Sequence, residues 1–300
     1  MKSRTRSKII VGTMLVLTAT MFLYFYFTDT RSPASSAAYS SIATSSEASS
    51  PSLLTTMLNL LSAAAPAIPE PAAGPAKTES RNLPPFSAVE ADGACEVSWA
   101  PGDQQQVTVE APDTYLPYIK TEVTNGTLNI RPVPGATWLS HFKVTLTGSR
   151  LDRINLAGAV QFTGNSIKSD SFDANASGST QVTLSGEMQH LSLELSGSGK
   201  ITANTTQSDT IDAKATGSTE LVLSGNTRQL NIDLAGAGEA KAGDLKAASA
   251  RVTIAGAGKA DVNVTDTLTA AIYGAGLVTY AGQPHTLNKT VLGAGSIQPR

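Results

Sequence analysis

Three hundred residues with a net charge of −2, 15% charged and 5% aromatic side chains and one cysteine, Cys95, set the first limits. That balance excludes a basic nucleic-acid-binding face, and a single cysteine excludes an intramolecular disulfide. The wealth of Ala, Gly, Ser, Thr, Asn and Val suits a narrow, layered core better than a compact Leu/Phe one.

The first predicted element is an export signal. Lys2, Arg4, Arg6 and Lys8 precede Ile9–Phe27, nineteen residues without a charge. Such a run just crosses a hydrocarbon core of about 30 Å. The basic residues 1–8 should stay cytoplasmic and the remainder be exported. The run is longer than the apolar stretch of a cleavable signal and ends in FLYFYF, so it reads as a retained single-pass anchor; the alternative is a cleaved signal, with small residues following at Ala34–Ala38, and a secreted chain.

Residues 28–82 are rich in Ser, Ala, Pro and Thr and read as a disordered tether. One apolar island interrupts them, SLLTTMLNLLSAAA, with Leu53, Leu54, Met57, Leu58 and Leu61 on one face at helical spacing.

From residue 83 the pattern is that of strands. FSAVEADGACEVSWAPGDQQQVTVEAP alternates, turns at Pro101-Gly102-Asp103 and alternates again. Asn125-Gly126 in TEVTNGTLNIRP is a tight-turn signal, and FKVTLTG follows. The expectation for 83–150 is a cap of short antiparallel hairpins, because a bare sheet edge invites pairing with another chain. Cys95, in strand-like ACEVSW, reads as a small apolar side chain.

From 151 to 297 a glycine recurs. Gly158, Gly178, Gly197, Gly217, Gly236, Gly256, Gly274 and Gly293 are spaced by 20, 19, 20, 19, 20, 18 and 19 residues. A second glycine follows two residues later at Gly199, Gly238, Gly258, Gly276 and Gly295. A fixed period of this size is the mark of a solenoid. The positions two and four before each first glycine are apolar, except in the last repeat, where Lys289 accompanies Val291. The residues between are mostly polar: Asn155, Asn175, Glu194, Lys214, Asp233 and Thr253. This period-two pattern predicts strands with one buried face.

Leu193/Leu195 and Ile232/Leu234 alternate with Ala174/Ala176 and Ala213/Ala215, so 171–209 resembles 210–248 at an offset of 39 residues. The predicted fold is all-β: a single-stranded right-handed β-helix, or β-solenoid, with coils of 19–20 residues. Its GxG column is a stacked corner, where glycine permits φ > 0 and close approach. The far end closes only with SIQPR. Pro299 there blocks strand addition, and the rest of the edge leaves room for a homodimer.

Chemistry is sparse. A nucleotide-binding loop would place a helix after its glycines and would not recur. His141, His190 and His285 share no partner motif, and HExxH, GxSxG and SxxK do not occur. The regular Asp of calcium-binding solenoids is missing. No catalytic, cofactor-binding or metal-ligating residue stands out. Glu194, Lys214 and Asp233 alternate in sign and read as a solvated, charge-paired ladder.

Between 84 and 297 the chain resembles the putative auto-transporter adhesin, head GIN domain proteins of bacterial cell envelopes. The resemblance rests on FSAVEADGACEVSW, VTNGTLNI, the SGSG and AGAG rows, and YGAGLVTYAGQPHTLNKTVLGAGSI. It implies a bacterial, exported β-helical domain; with the apolar run 9–27, the expectation is a domain over 83–300 held in the periplasm by a single-pass anchor in the inner membrane. Family members often carry an acid after GSG. Here Lys200, Glu239, Lys259 and Leu277 take that place, which speaks against calcium. The expected function is non-enzymatic: binding or scaffolding of an envelope component or protein. The alternatives are an enzyme acting on an envelope polysaccharide, and a periplasmic input domain whose island Leu53–Leu61 docks on a membrane partner.

Overall fold

The computed structural model describes residues 66–300. No helix among them is long and apolar enough to cross a membrane. The anchor 9–27 and the island Leu53–Leu61 lie outside the described residues.

Seventeen strands share one hydrogen-bonded sheet. Its body is a stack of coils: β9 (Gln161–Gly178), β10 (Gln181–Gly197), β11 (Lys200–Gly217), β12 (Glu220–Gly236), β13 (Glu239–Gly256) and β14 (Lys259–Gly274). Each pairs in parallel with the next, glycine on glycine. The register breaks midway along each, as between Leu184 and Gly186 or Thr205 and Ser208. This bend divides a coil into a trailing segment, which follows one corner glycine, and a leading segment, which runs up to the next. Alternation turns the apolar residues of both segments inward. In β12, Leu221, Leu223, Leu230, Ile232 and Leu234 are all buried. Two polar groups that enter the core where the coil bends are paired: the Thr205 and Ser208 hydroxyls lie 2.8 Å apart, and Ser208 also donates to Met188 O.

The region expected to be a hairpin cap is largely more solenoid. β2 (Ala88–Gly93) and β3 (Cys95–Pro101) do not pair with each other. They pair in parallel with β8 (Arg153–Gly158) and β9, and Gly93 is their corner, with φ 101°. β6 (Thr127–Pro132) and β7 (Phe142–Gly148) form the next coil outward, parallel to β2 and β3. The chain therefore visits its coils out of order: β2–β3, earlier in sequence, lies between β6–β7 and β8–β9. Among the described residues antiparallel pairing is confined to the outer end. There β5 (Ile119–Thr124) joins β6 through Asn125-Gly126, and β4 (Gln106–Pro112) lies between β7 and β1 (Ala76–Arg81). Alternation identifies a strand but not its neighbour, and Gly93 is followed by Cys95 rather than a second glycine, which hid this corner.

Order also begins earlier than the tether boundary at 82. β1, AKTESR, has no apolar alternation and is mostly exposed. It is held by its ladder to β4 and by Arg81, which donates to Ile119 O (2.8 Å) and Leu116 O (3.1 Å). Upstream, Ile68 N–H donates to Gly135 O (2.9 Å), Trp138 Nε1 donates to Ile68 O (2.8 Å), and the Tyr115 hydroxyl donates to Glu70 (2.7 Å).

Cys95 occupies the interior of the Gly93 corner. Burial first, and Asp92 second, push its thiol up to about 12. The thiolate is the reactive form, so native protein at pH 8 should resist a thiol-alkylating reagent and react only when unfolded in urea. Prompt labelling of the folded chain would contradict this placement. The sign for stability follows. The unfolded thiol ionises first, so this residue's contribution is present below its ordinary value of 9.0 and is lost as pH rises from there towards 12.

At the far end, β15 (Leu277–Ala281) and β16 (Thr286–Leu292) both stack on β14, and β17 (Ser296–Pro299) stacks on β15. Arg300 ties the last residue back through an ion pair to Asp261, and its N–H donates to Tyr280 O (2.8 Å).

Candidate functional site

The predicted glycines fall into two columns with different roles. The first, Gly158, Gly178, Gly197, Gly217, Gly236, Gly256, Gly274 and Gly293, has φ between 92° and 140° throughout. Gly217 illustrates why no other residue fits. Its φ is 105°, and a Cβ there would lie 2.5 Å from Gly197 O on the coil below. That carbonyl accepts the N–H of Ser218 (3.0 Å), so it cannot swing away without breaking an inter-coil bond. The same bond recurs from Ser179 to Gly158 O and from Ser198 to Gly178 O.

The second column faces the core. It runs Cys95, Val160, Thr180, Gly199, Thr219, Gly238, Gly258, Gly276, Gly295. Its size answers that of the residue four positions earlier. Thr180 and Thr219 accompany Ala176 and Ala215, whereas Gly199 and Gly238 accompany Leu195 and Leu234. A Cβ on Gly199 would meet Leu195 Cδ1 at 2.9 Å and Thr180 Oγ1 at 2.8 Å. GAG and GST rows are thus two ways of filling one corner volume. Neither column offers a ligand-binding group to solvent; both are architectural.

The polar positions of the leading segments stack into one outward ladder. In register it runs Glu90, Asn155, Asn175, Glu194, Lys214, Asp233, Thr253. The Asn175 amide donates to Asn155 Oδ1 (3.0 Å). The next outward column holds the shorter Ala157, Ser177, Ser196 and Thr216, so a trough of about 420 Å³ runs beside the ladder, between it and those small side chains. A second trough of about 240 Å³ lies on the other side, among Ser192, Asp212, Asn231 and Asp233. Glu194 and Lys214 form the ridge between them. The expected charge pairing is not realised. Among the described residues, no ion pair within 4 Å involves Glu194, Lys214 or Asp233. Their hydrogen-bonding capacity faces solvent.

The trailing face contrasts with this. Glu220 lies between Lys200 (3.2 Å) and Lys241 (2.8 Å), and Lys241 also reaches Glu239 (3.3 Å). Hydrogen bonds from Lys241 and then Lys200 hold the Glu220 carboxyl below the usual glutamate range. These groups are half-buried or exposed, so their contribution is small, and it is lost as pH falls from the usual glutamate range through the lowered value.

Sequence reasoning found the ladder from Asn155 onward but missed Glu90 and Asp92, which extend the trough. The available signal was ADGACE set against LAGAVQ, with Gly93 on Gly158. The histidines do not converge. His141 sits at φ 59° beside Ser140, His190 is on the leading face, and His285 lies 3.5 Å from Asp266. Among the described residues no group of three or more His, Cys, Asp or Glu is arranged to hold a metal ion.

The family model described as "Putative auto-transporter adhesin, head GIN domain" matches residues 85–208 and 187–284. None of the curated proteins matches the chain. A Parabacteroides distasonis crystal structure described as a putative lipid binding protein is similar over 76% of this chain and 97% of its own, at 26% identity and a TM-score of 0.70. A putative adhesin from Parabacteroides merdae shares the fold over 76% and 97%, at 22% identity and TM-score 0.70. One from Bacteroides fragilis does so over 75% and 97%, at 18% and 0.59.

Proposed function

Because this chain belongs to the putative auto-transporter adhesin, head GIN domain family, we propose that it is an exported, membrane-tethered binding module of the cell envelope. Its ligand is a hydroxyl-rich polymer, an envelope glycan, laid along the leading face. The observation that carries this reading is the outward polar ladder, whose Glu194, Lys214 and Asp233 make no ion pair among the described residues. Amides, carboxylates, one hydroxyl and one ammonium occupy successive rungs at a strand spacing of about 4.8 Å, flanked by troughs. Such groups both donate to and accept from hydroxyls, and a ladder with one rung per coil suits a ligand that itself repeats. The adhesin description of the family supports an envelope or extracellular location, and the apolar run 9–27 supports the tether.

The test is co-sedimentation of residues 66–300, which carry the solenoid without the apolar run 9–27, with peptidoglycan and with lipid vesicles in detergent-free buffer, and assay of the supernatant for released sugar. Saturable retention on peptidoglycan without sugar release is the expected result. Asn155→Ser with Asn175→Ser should weaken it about tenfold, the effect of losing one to two net hydrogen bonds, with the β-sheet circular dichroism unchanged. Sugar release would establish an enzyme instead. Retention on vesicles alone, the activity named for the Parabacteroides distasonis relative, would replace the glycan by a lipid. Retention indifferent to the double substitution would remove the leading face from the site.

A further inference from the structure

The two ends of the solenoid are finished differently. The outer coil at the start is covered by β1, β4 and β5 and by Tyr115, Tyr118 and Trp138, which pack on one another. Among the described residues the last coil has no such cover. Among the described residues β16 pairs only with β14, and all seven of its residues are exposed. Leu287 and Val291 continue interior columns that are fully buried below them at Leu268 and Ile272, yet they are 37% and 39% exposed. This is the cross-section of the core.

Between them stands Lys289. Its column is otherwise Val89, Ile154, Ala174, Leu193, Ala213, Ile232, Val252 and Ala270, every one apolar and at most 1% exposed. The lysine side chain crosses the open end from the leading to the trailing face. There its ammonium donates to Ile297 O (3.1 Å) and lies 5.1 Å from the centre of the Tyr280 ring.

We propose that Lys289 is a built-in stop on self-association: it keeps the open end of the solenoid from pairing with a second copy of this chain. A second copy is the occupant that this end otherwise fits. Two β16 edges meet antiparallel about a two-fold axis, and each core cross-section covers the other. Opposite residues in such a pair share a face, so the axis passes through a residue facing itself. Centred on Lys289, the pairing sets two ammoniums against each other. Centred on Asn288 it sets Lys289 against Leu287, and centred on Thr290 against Val291. In each of these registers the lysine enters a shared apolar core without a counter-charge, where an unpaired ion is strongly disfavoured. An inward-pointing charge is a recognised protection for a sheet edge.

The test is sedimentation equilibrium of the full chain and its variants in one detergent, with circular dichroism to verify the fold. Lys289→Val should double the protein mass relative to wild type, and Lys289→Arg should leave it unchanged. Lys289→Val with Val291→Lys, which moves the charge one inward position along β16, should restore the wild-type mass. If Lys289→Val does not fold, Lys289→Gln takes its place, with doubling expected at higher concentration. A neutral, folded variant with wild-type mass overturns the proposal. So does a wild-type chain that is already paired and is separated by Val291→Lys.

Discussion

Gly217→Ala is expected to destabilise the solenoid by about 3 kcal/mol. Two costs combine. Holding an alanine at φ 105° costs on the order of 1–3 kcal/mol. In addition the new Cβ lies 2.5 Å from Gly197 O, a backbone atom already engaged by Ser218 N–H. Relief requires the coils to part, at the loss of at least one inter-coil hydrogen bond, about 1 kcal/mol. Gly126→Ala separates the two costs. Gly126 also has positive φ, 75°, but a Cβ there meets nothing within 4 Å. Its loss should be about 1 kcal/mol, the conformational part alone. Urea unfolding of both variants checks the pair. Equal losses would mean that the stacked carbonyls do not constrain the corner.

The second large effect concerns coil order. Deleting residues 210–248 removes one Leu coil and one Ala coil together and joins Asp209 to Ser249, which occupies the position of Thr210 two coils on. Val252 and Ile254 then rest on Leu193 and Leu195, much as they now rest on Ile232 and Leu234. The shortened protein should fold and unfold in a single transition. Deleting 190–209 removes fewer residues but only one coil, and sets Ala174 and Ala176 directly on Ala213 and Ala215. Two leucine volumes vanish with no larger neighbour to fill them. At about 2–5 kcal/mol for each buried leucine lost to alanine, this deletion should cost about 5 kcal/mol more than the longer one. Thermal melting ranks the two. A more stable single-coil deletion would show that large and small coils are not complementary.

The same complementarity separates what was legible from what was not. The period near 19–20 residues, the inward columns and the corner role of Gly158 through Gly293 follow from sequence, because each coil repeats the same local requirements. A chain that must turn sharply against its own neighbour needs glycine there, and a strand with one dry face must alternate. Those constraints act within a few residues, so they leave a pattern that one chain displays. The outward ladder from Asn155 to Thr253 is visible for the same reason.

Neighbour choice is not local, and there the tertiary structure decided. AVEADG and CEVSWAP alternate as well in a hairpin as in a coil; only the complementary surfaces of β6–β7 and β8–β9 place them between those coils. Ala76–Arg81 carries no apolar signal at all and becomes a strand because β4 presents an open edge and Arg81 finds three partners near Leu116 and Ile119. Glu194, Lys214 and Asp233 alternate in sign along the chain, but their side chains do not close into ion pairs, because each is solvated outward from a strand rather than pressed against its neighbour. Lys289 appears in sequence as a lapse in an apolar column. Its reach to Ile297 O across the uncovered end gives it a role, since only the folded stack has an end to close.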